Sequence, residues 1–184
     1  MTVPGSWRGV VNRHKSASSE VGAYFQHLPK LVEELPLEVC ITYMFAQVEL
    51  AQNMTLYCGV VKLHRANATV ARNAVDAHHL TRAGYKDLFK KVFGKDLTKA
   101  VLDPLQTAEK IRDRVMHGKS VTEAKKREAI VKVLEHAEKY NAFVDGIAGF
   151  KPYKRDLRGV KGRTKPLETS TTKWMLKGMG FGIR

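Results

Sequence analysis

The chain has 184 residues and carries 32 lysines and arginines against 18 aspartates and glutamates, a formal charge of +14. That length supports one domain with its own hydrophobic core plus an appendage, with no need of disulfide or metal staples. The charge exceeds what solubility requires and suits a polyanionic partner, nucleic acid above all. Cys40 and Cys58 both fall inside apolar helical pattern, where a thiol acts as a small buried hydrophobe, and a reducing cytoplasm is the expected setting. Residues 1–20 lack the apolar core of a signal peptide, and Thr2 excludes myristoylation. The most apolar run, 37–61, is interrupted by Glu38, Gln47, Glu49, Gln52 and Asn53, which makes it a core helix and no membrane span.

In chain order, residues 1–19 contain Pro4, Gly5 and Gly9 and read as an irregular arm. A first helix is expected from Glu20 until Pro36 stops it. In the long helix that follows, Leu37, Ile41, Met44, Phe45 and Val48 form one apolar stripe. Shorter helices are expected over 68–80, with Ala71, Ala74, Val75 and His78 on one face, and over 85–93, ending before Gly94. Asp103 as N-cap, Pro104 at the first position, Gln106 reaching back and Gly118 at the end predict a helix over 104–117. Ser120 and Glu123 form a second capping box, opening a helix on which Ile130, Val133, Leu134, Ala137 and Val144 share a face. Beyond Gly146 the chain turns Gly-rich, basic and aperiodic. No internal repeat and no strand pattern of useful length occurs, so the expected fold is all-α: a helical bundle at 20–146 between the arm and a basic C-terminal extension at 147–184.

On the 104–117 helix, Leu105, Ala108, Ile111, Val115 and Met116 share a broad face at about 100° per residue, and Arg112 falls inside it. A guanidinium stays charged and is costly to bury alone, so it needs a carboxylate, a phosphate or a seam open to water. Asp113 and His117 stand at i and i+4, which lets the carboxylate orient the imidazole, and Gly118 leaves that imidazole unshielded. The alternative is structural: Arg112 salt-bridged to Glu33, Glu34 or Glu49, and His117 capping a helix C-terminus.

The string Ile111-Arg112-Asp113-Arg114-Val115-Met116-His117-Gly118-Lys119 resembles the signature of the HEPN superfamily of helical nucleotide-binding domains, an Arg followed by a polar residue and, four to six residues past the Arg, a His commonly followed by Gly. The helix pattern over 31–144 agrees with it. The resemblance implies a helical bundle that dimerises and acts, in many members, as a metal-independent endoribonuclease of toxin or antiviral systems; other members are non-catalytic binding or scaffolding modules. It assigns Arg112 and His117 as catalytic with Asp113 in support. The chemistry fits: cleavage without metal needs a proton acceptor for the 2′-hydroxyl, a proton donor for the leaving 5′-oxygen and a cation facing the phosphorane. His117 suits proton transfer near neutral pH, and the planar Arg112 suits phosphate oxygens. One His per chain is too few, so a two-fold homodimer with both motifs in one cleft is expected. Asp113 then holds the ring or the neighbouring Arg. The resemblance also admits an antitoxin partner such as a nucleotidyltransferase.

Gly118-Lys119-Ser120 is no phosphate-binding loop, because Asp113 stands where that loop needs glycine. His64, His78 and His79 lack further ligands at metal spacing, and neither metal nor cofactor is expected. Residues 151–184 hold ten basic residues against Asp156 and Glu168, a net +8. This segment reads either as a solvated extension or as an interface in which Tyr153, Trp174 and Phe181 stack on bases. On the second reading the RNA contacts are Arg114, Lys119, Lys151, Lys154, Arg155, Arg158, Lys161, Arg163, Lys165 and Trp174.

Overall fold

A computed structural model describes residues 3–77, 81–156 and 165–183. Among the described residues there are nine helices and no strand: α1 Trp7–Lys15, α2 Ser19–Tyr24, α3 Leu28–Glu34, α4 Leu37–His64, α5 Ala68–Asp76, α6 Arg82–Phe93, α7 Lys99–Met116, α8 Glu123–Ala148 and α9 Thr169–Met179. The all-α expectation therefore holds. No described helix is long and apolar enough to cross a membrane.

Helix boundaries move where side chains outweigh local signals. The segment expected as an irregular arm holds α1, whose Val10 is fully buried and whose Arg13 pairs with Glu138 at 2.8 Å. The helix expected from Glu20 to Pro36 is two, α2 and α3, because Pro29 is tolerated in the first turn of α3 but its ring would clash with the Phe25 carbonyl in a continuous helix. Asp103 is no N-cap. The helix α7 starts a turn earlier at Thr98 and carries Pro104 inside it, since Val101 and Leu105 are both core residues. The carbonyl of Val101 also accepts from His136 Nδ1 at 2.9 Å. Ser120 opens no capping box either: Thr122 caps the helix alone, its hydroxyl accepting from the Lys125 amide at 3.4 Å and its carbonyl from the Lys126 amide. Helix α8 continues past Gly146 to Ala148 and closes on left-handed Gly149.

Contacts divide the chain into two compact units, Met1–Glu49 with Thr98–Phe143 and Tyr153–Asp156, and Leu50–Leu97 with Val144–Pro152 and Leu157–Arg184. In the first unit the apolar stripe of α4 (Ile41, Met44, Phe45, Val48) is buried, as are Ile130, Leu134 and Ala137 of α8. An aromatic cluster of Phe25, Tyr140 and Tyr153 fills one region, with Asn141 bracing Tyr153 through both the amide and the carbonyl of its backbone. In the second unit Gly59 lets α6 approach α4 closely; a Cβ there would lie 2.6 Å from both Val92 and Phe93 side chains. Helix α9 packs on α5. The Thr172 hydroxyl accepts the Asn67 amide at 3.1 Å, and the Asn67 side chain in turn caps α5.

Candidate functional site

The α7 terminus, in the first unit, is built by a Schellman closure. The His117 amide reaches Asp113, the Gly118 amide reaches Val115 and the Lys119 amide reaches Arg114 at 2.9 Å, all across a Gly118 at φ +66. Glycine is favoured there because a Cβ in the left-handed region is strained. The expected apolar face stops short of this turn. Leu105, Ala108 and Ile111 are buried, but Val115 is only half-buried and Met116 is 61 % exposed.

Arg112 is accordingly half-buried, its side chain 26 % exposed. Its Nε and Nη2 both donate to Asp113 Oδ1, at 3.1 and 2.7 Å, and its guanidinium stacks over the Phe45 ring at 4.6 Å. The counter-charge thus comes from the next residue, in place of the structurally expected Glu33, Glu34 or Glu49, and Asp113 takes the second of its two expected roles. His117 is exposed at the helix end. Arg112 and His117 are five residues apart, about 140° around the helix, so one chain does not turn them to the same side. Beside Arg112 lies a strip of exposed small and apolar residues on α4, Val39, Thr42 and Ala46, with the Thr42 hydroxyl 4.0 Å from Met116 Sδ.

Arg114 and Lys119 are exposed, and Arg114 Nη2 donates to the Ser120 carbonyl at 3.1 Å. A hollow of about 400 Å³ opens between α7 and the start of α8, floored by Ile111 and Val121 and rimmed by Lys110, Arg114 and Lys125. Sequence reasoning missed Lys110 and Lys125, which become legible only when the two helices fold back. The buried ionisable groups have other roles. Burial pushes the Cys40 and Cys58 thiols up to about 11, removing them as nucleophiles, and pushes His136 down to about 4.

The basic extension holds α9, with Thr172 and Leu176 buried, so its reading as a solvated tail is corrected for that helix. Trp174 on α9 is 80 % exposed. Tyr153 and Phe181, expected as stacking surfaces, are instead buried core residues. Lys154, Arg155 and Lys165 are exposed and Lys151 half-buried, whereas Arg158, Lys161 and Arg163 lie outside the described residues, as do His78 and His79. His64 Nε2 meets the Val92 carbonyl at 2.6 Å, and no cluster of metal-ligating side chains occurs among the described residues. In the second unit Arg65, left-handed at φ +59, holds the Lys165 carbonyl with Nε and Nη2, at 3.0 and 2.7 Å, and accepts the Leu167 amide. No protein-family model matches the chain, and no curated protein or solved structure matches it.

Proposed function

We propose that the protein is an RNA-binding, metal-independent endoribonuclease that works as a homodimer, in the toxin or antiviral-defence setting that the HEPN resemblance implies. The observation that carries this reading is the end of α7, where Arg112 is held by Asp113 and Phe45, half open to solvent, just before an exposed His117. Among the described residues Arg112 Nη1 makes no hydrogen bond, which leaves a donor for a phosphate oxygen. Two copies meeting along Val39, Thr42, Ala46 and Met116 would cover an apolar strip and bring two histidines to one cleft. One His117 takes the proton of the 2′-hydroxyl as that oxygen bonds phosphorus. The other gives a proton to the departing 5′-oxygen, leaving a 2′,3′-cyclic phosphate and a 5′-hydroxyl.

A second reading rests on the same Arg112–Asp113 pair. It supplies the guanidinium's counter-charge within one chain, as a non-catalytic RNA-binding or scaffolding protein would need. Incubating the purified protein and its His117→Ala form with total RNA in EDTA separates the two. Cleavage with cyclic-phosphate ends that disappears in the variant supports the nuclease. No cleavage by either form, or a monomer at micromolar concentration, gives the second reading its place, and equal cleavage by both forms removes His117 from the chemistry.

A further inference from the structure

Trp174 is the most exposed large apolar side chain on the described surface, and it stands on a well-anchored helix. The apolar residues that hold α9, Leu176 and the following Phe181, are buried, while Thr172 is tied to Asn67. The orientation of Trp174 into solvent is therefore set by the packing of the opposite face. Lys173 and Lys177, one turn apart, flank it and are both exposed. A membrane-surface helix needs a broad apolar face. Here the apolar face is used by the core and one indole remains outside among Ser170, Thr171 and lysines. One aromatic plane between cations is the pattern of a single-strand stacking platform.

Between α5 and the α9 segment lies a hollow of about 230 Å³ lined by Val70, Ala74, Ala77 and Ile183, with Asn73 and Lys173, the chain neighbour of Trp174, contributing polar groups. It is smaller than the roughly 300–1,000 Å³ of ordinary small-molecule sites and suits a single ring system. An amide on an apolar bed complements an unstacked base, a flat apolar body with hydrogen-bonding edges, and the ammonium beside it suits the phosphate that the base carries.

We propose that α5 and α9 form a binding site for single-stranded RNA, in which Trp174 stacks one unpaired base, the α5–α9 hollow takes a neighbouring base against Asn73, and Lys173 and Lys177 neutralise the adjoining phosphates. This rests on the reading of the protein as RNA-binding and specifies the form of RNA it holds.

The test uses the full chain with Trp7→Phe, which leaves Trp174 as the sole tryptophan. The probe is a fluorescein-labelled 2′-O-methyl oligouridylate of about a dozen nucleotides, within the roughly 4–16 of single-strand sites; it has no free 2′-hydroxyl and cannot be cleaved by 2′-attack. Saturable quenching of Trp174 emission is expected. In anisotropy titrations Trp174→Ala should raise Kd at least about fivefold, and Lys173→Ala with Lys177→Ala should flatten the log–log salt slope by about 1.4. Binding of the oligonucleotide without a Trp174 response, and with unchanged affinity in Trp174→Ala, overturns this site while leaving RNA binding intact. Absence of binding to any RNA removes both. An equal response to duplex RNA overturns the single-strand assignment. A blue shift only with phosphatidylserine vesicles reassigns the surface to lipid.

Discussion

At the end of α7 the Lys119 amide reaches back to Arg114 across left-handed Gly118, and at the end of α9 the Phe181 amide reaches back to Leu176 across left-handed Gly180. The backbone closure is the same and the side chains differ. Phe181 is buried on the α9 end with Leu176, the hydrophobic contact that usually accompanies this motif, whereas Lys119 and Met116 leave the α7 end in water with His117 on it. A helix end that buries its following residue is anchored, and one that does not keeps its last turn free for a ligand or a second subunit. For α9 the proposed base contact sits on the flank of the helix; for α7 the proposed chemistry sits at the tip.

The largest effect expected from this contrast is on cleavage. His117→Ala should reduce RNA cleavage by about 10²–10⁴-fold, the range for removing a proton-transfer group, while circular dichroism and RNA affinity stay near the parent. Arg112→Lys should lose most activity too, because an ammonium lacks the planar fork. The next effect is on stability. Phe181→Ala should destabilise by about 3–5 kcal/mol in urea titration, as large-to-small changes at buried aromatics do. Met116→Ala, at the exposed tip, should stay within about 0.5 kcal/mol. A cost for Met116→Ala matching that of Phe181→Ala would mean that the α7 end is anchored in solution and the contrast is void.

The sequence carried the α4 stripe, the α5 and α6 helices and the left-handed Gly118, because each rests on periodicity or on one residue's backbone preference. It misplaced the start of α7. Asp103-Pro104 is a strong local start signal, yet Val101 belongs to the core and the helix extends to reach it at the expense of a hydrogen bond. Tyr153 and Phe181 looked like surface aromatics because their neighbours are lysines, arginines and glycines, and only packing reveals them as core. Arg112 was legible as an anomaly. Asp113 was among the partners expected for it, but the choice over Glu33, Glu34 and Glu49 was not legible, since it depends on the last turn of α7 leaving the core.

Two histidines of the first unit sharpen the comparison at acid pH. His117 is in water, but His136 is buried, stacked on Tyr140 at 5.3 Å, and desolvation holds its imidazole down at about 4 against an ordinary 6.5. Between those values the unfolded chain binds a proton that the folded chain refuses, so stability is full above about 6.5 and falls as pH drops toward 4, by about 3 kcal/mol. Glu38 and Glu135, both held below the ordinary carboxylate value, contribute chiefly beneath that window. Urea midpoints measured from pH 7 to pH 4 should fall accordingly, and His136→Gln should flatten the slope whatever its absolute stability. An unchanged slope in the variant would assign the acid sensitivity elsewhere.

The smallest effect tests the closures themselves. Gly118 lies at φ +66 with no atom within 4 Å of the place a β-carbon would occupy, so Gly118→Ala introduces backbone strain and no clash. That strain is about 1–2 kcal/mol, or a melting-temperature fall of roughly 2–4 °C per kcal/mol for a chain of this size. Gly180, at φ +98, is further from the left-handed minimum, and a Cβ there comes to 3.4 Å from Lys91 Nζ, so its alanine variant should melt lower still. Where glycine is not needed, alanine stabilises by about 0.4–1 kcal/mol through the unfolded chain. The sign of the Gly118→Ala shift therefore decides the matter: a rise in melting temperature would mean that the α7 tip does not close through a left-handed residue, and His117 would then lose the fixed position from which its proposed chemistry follows.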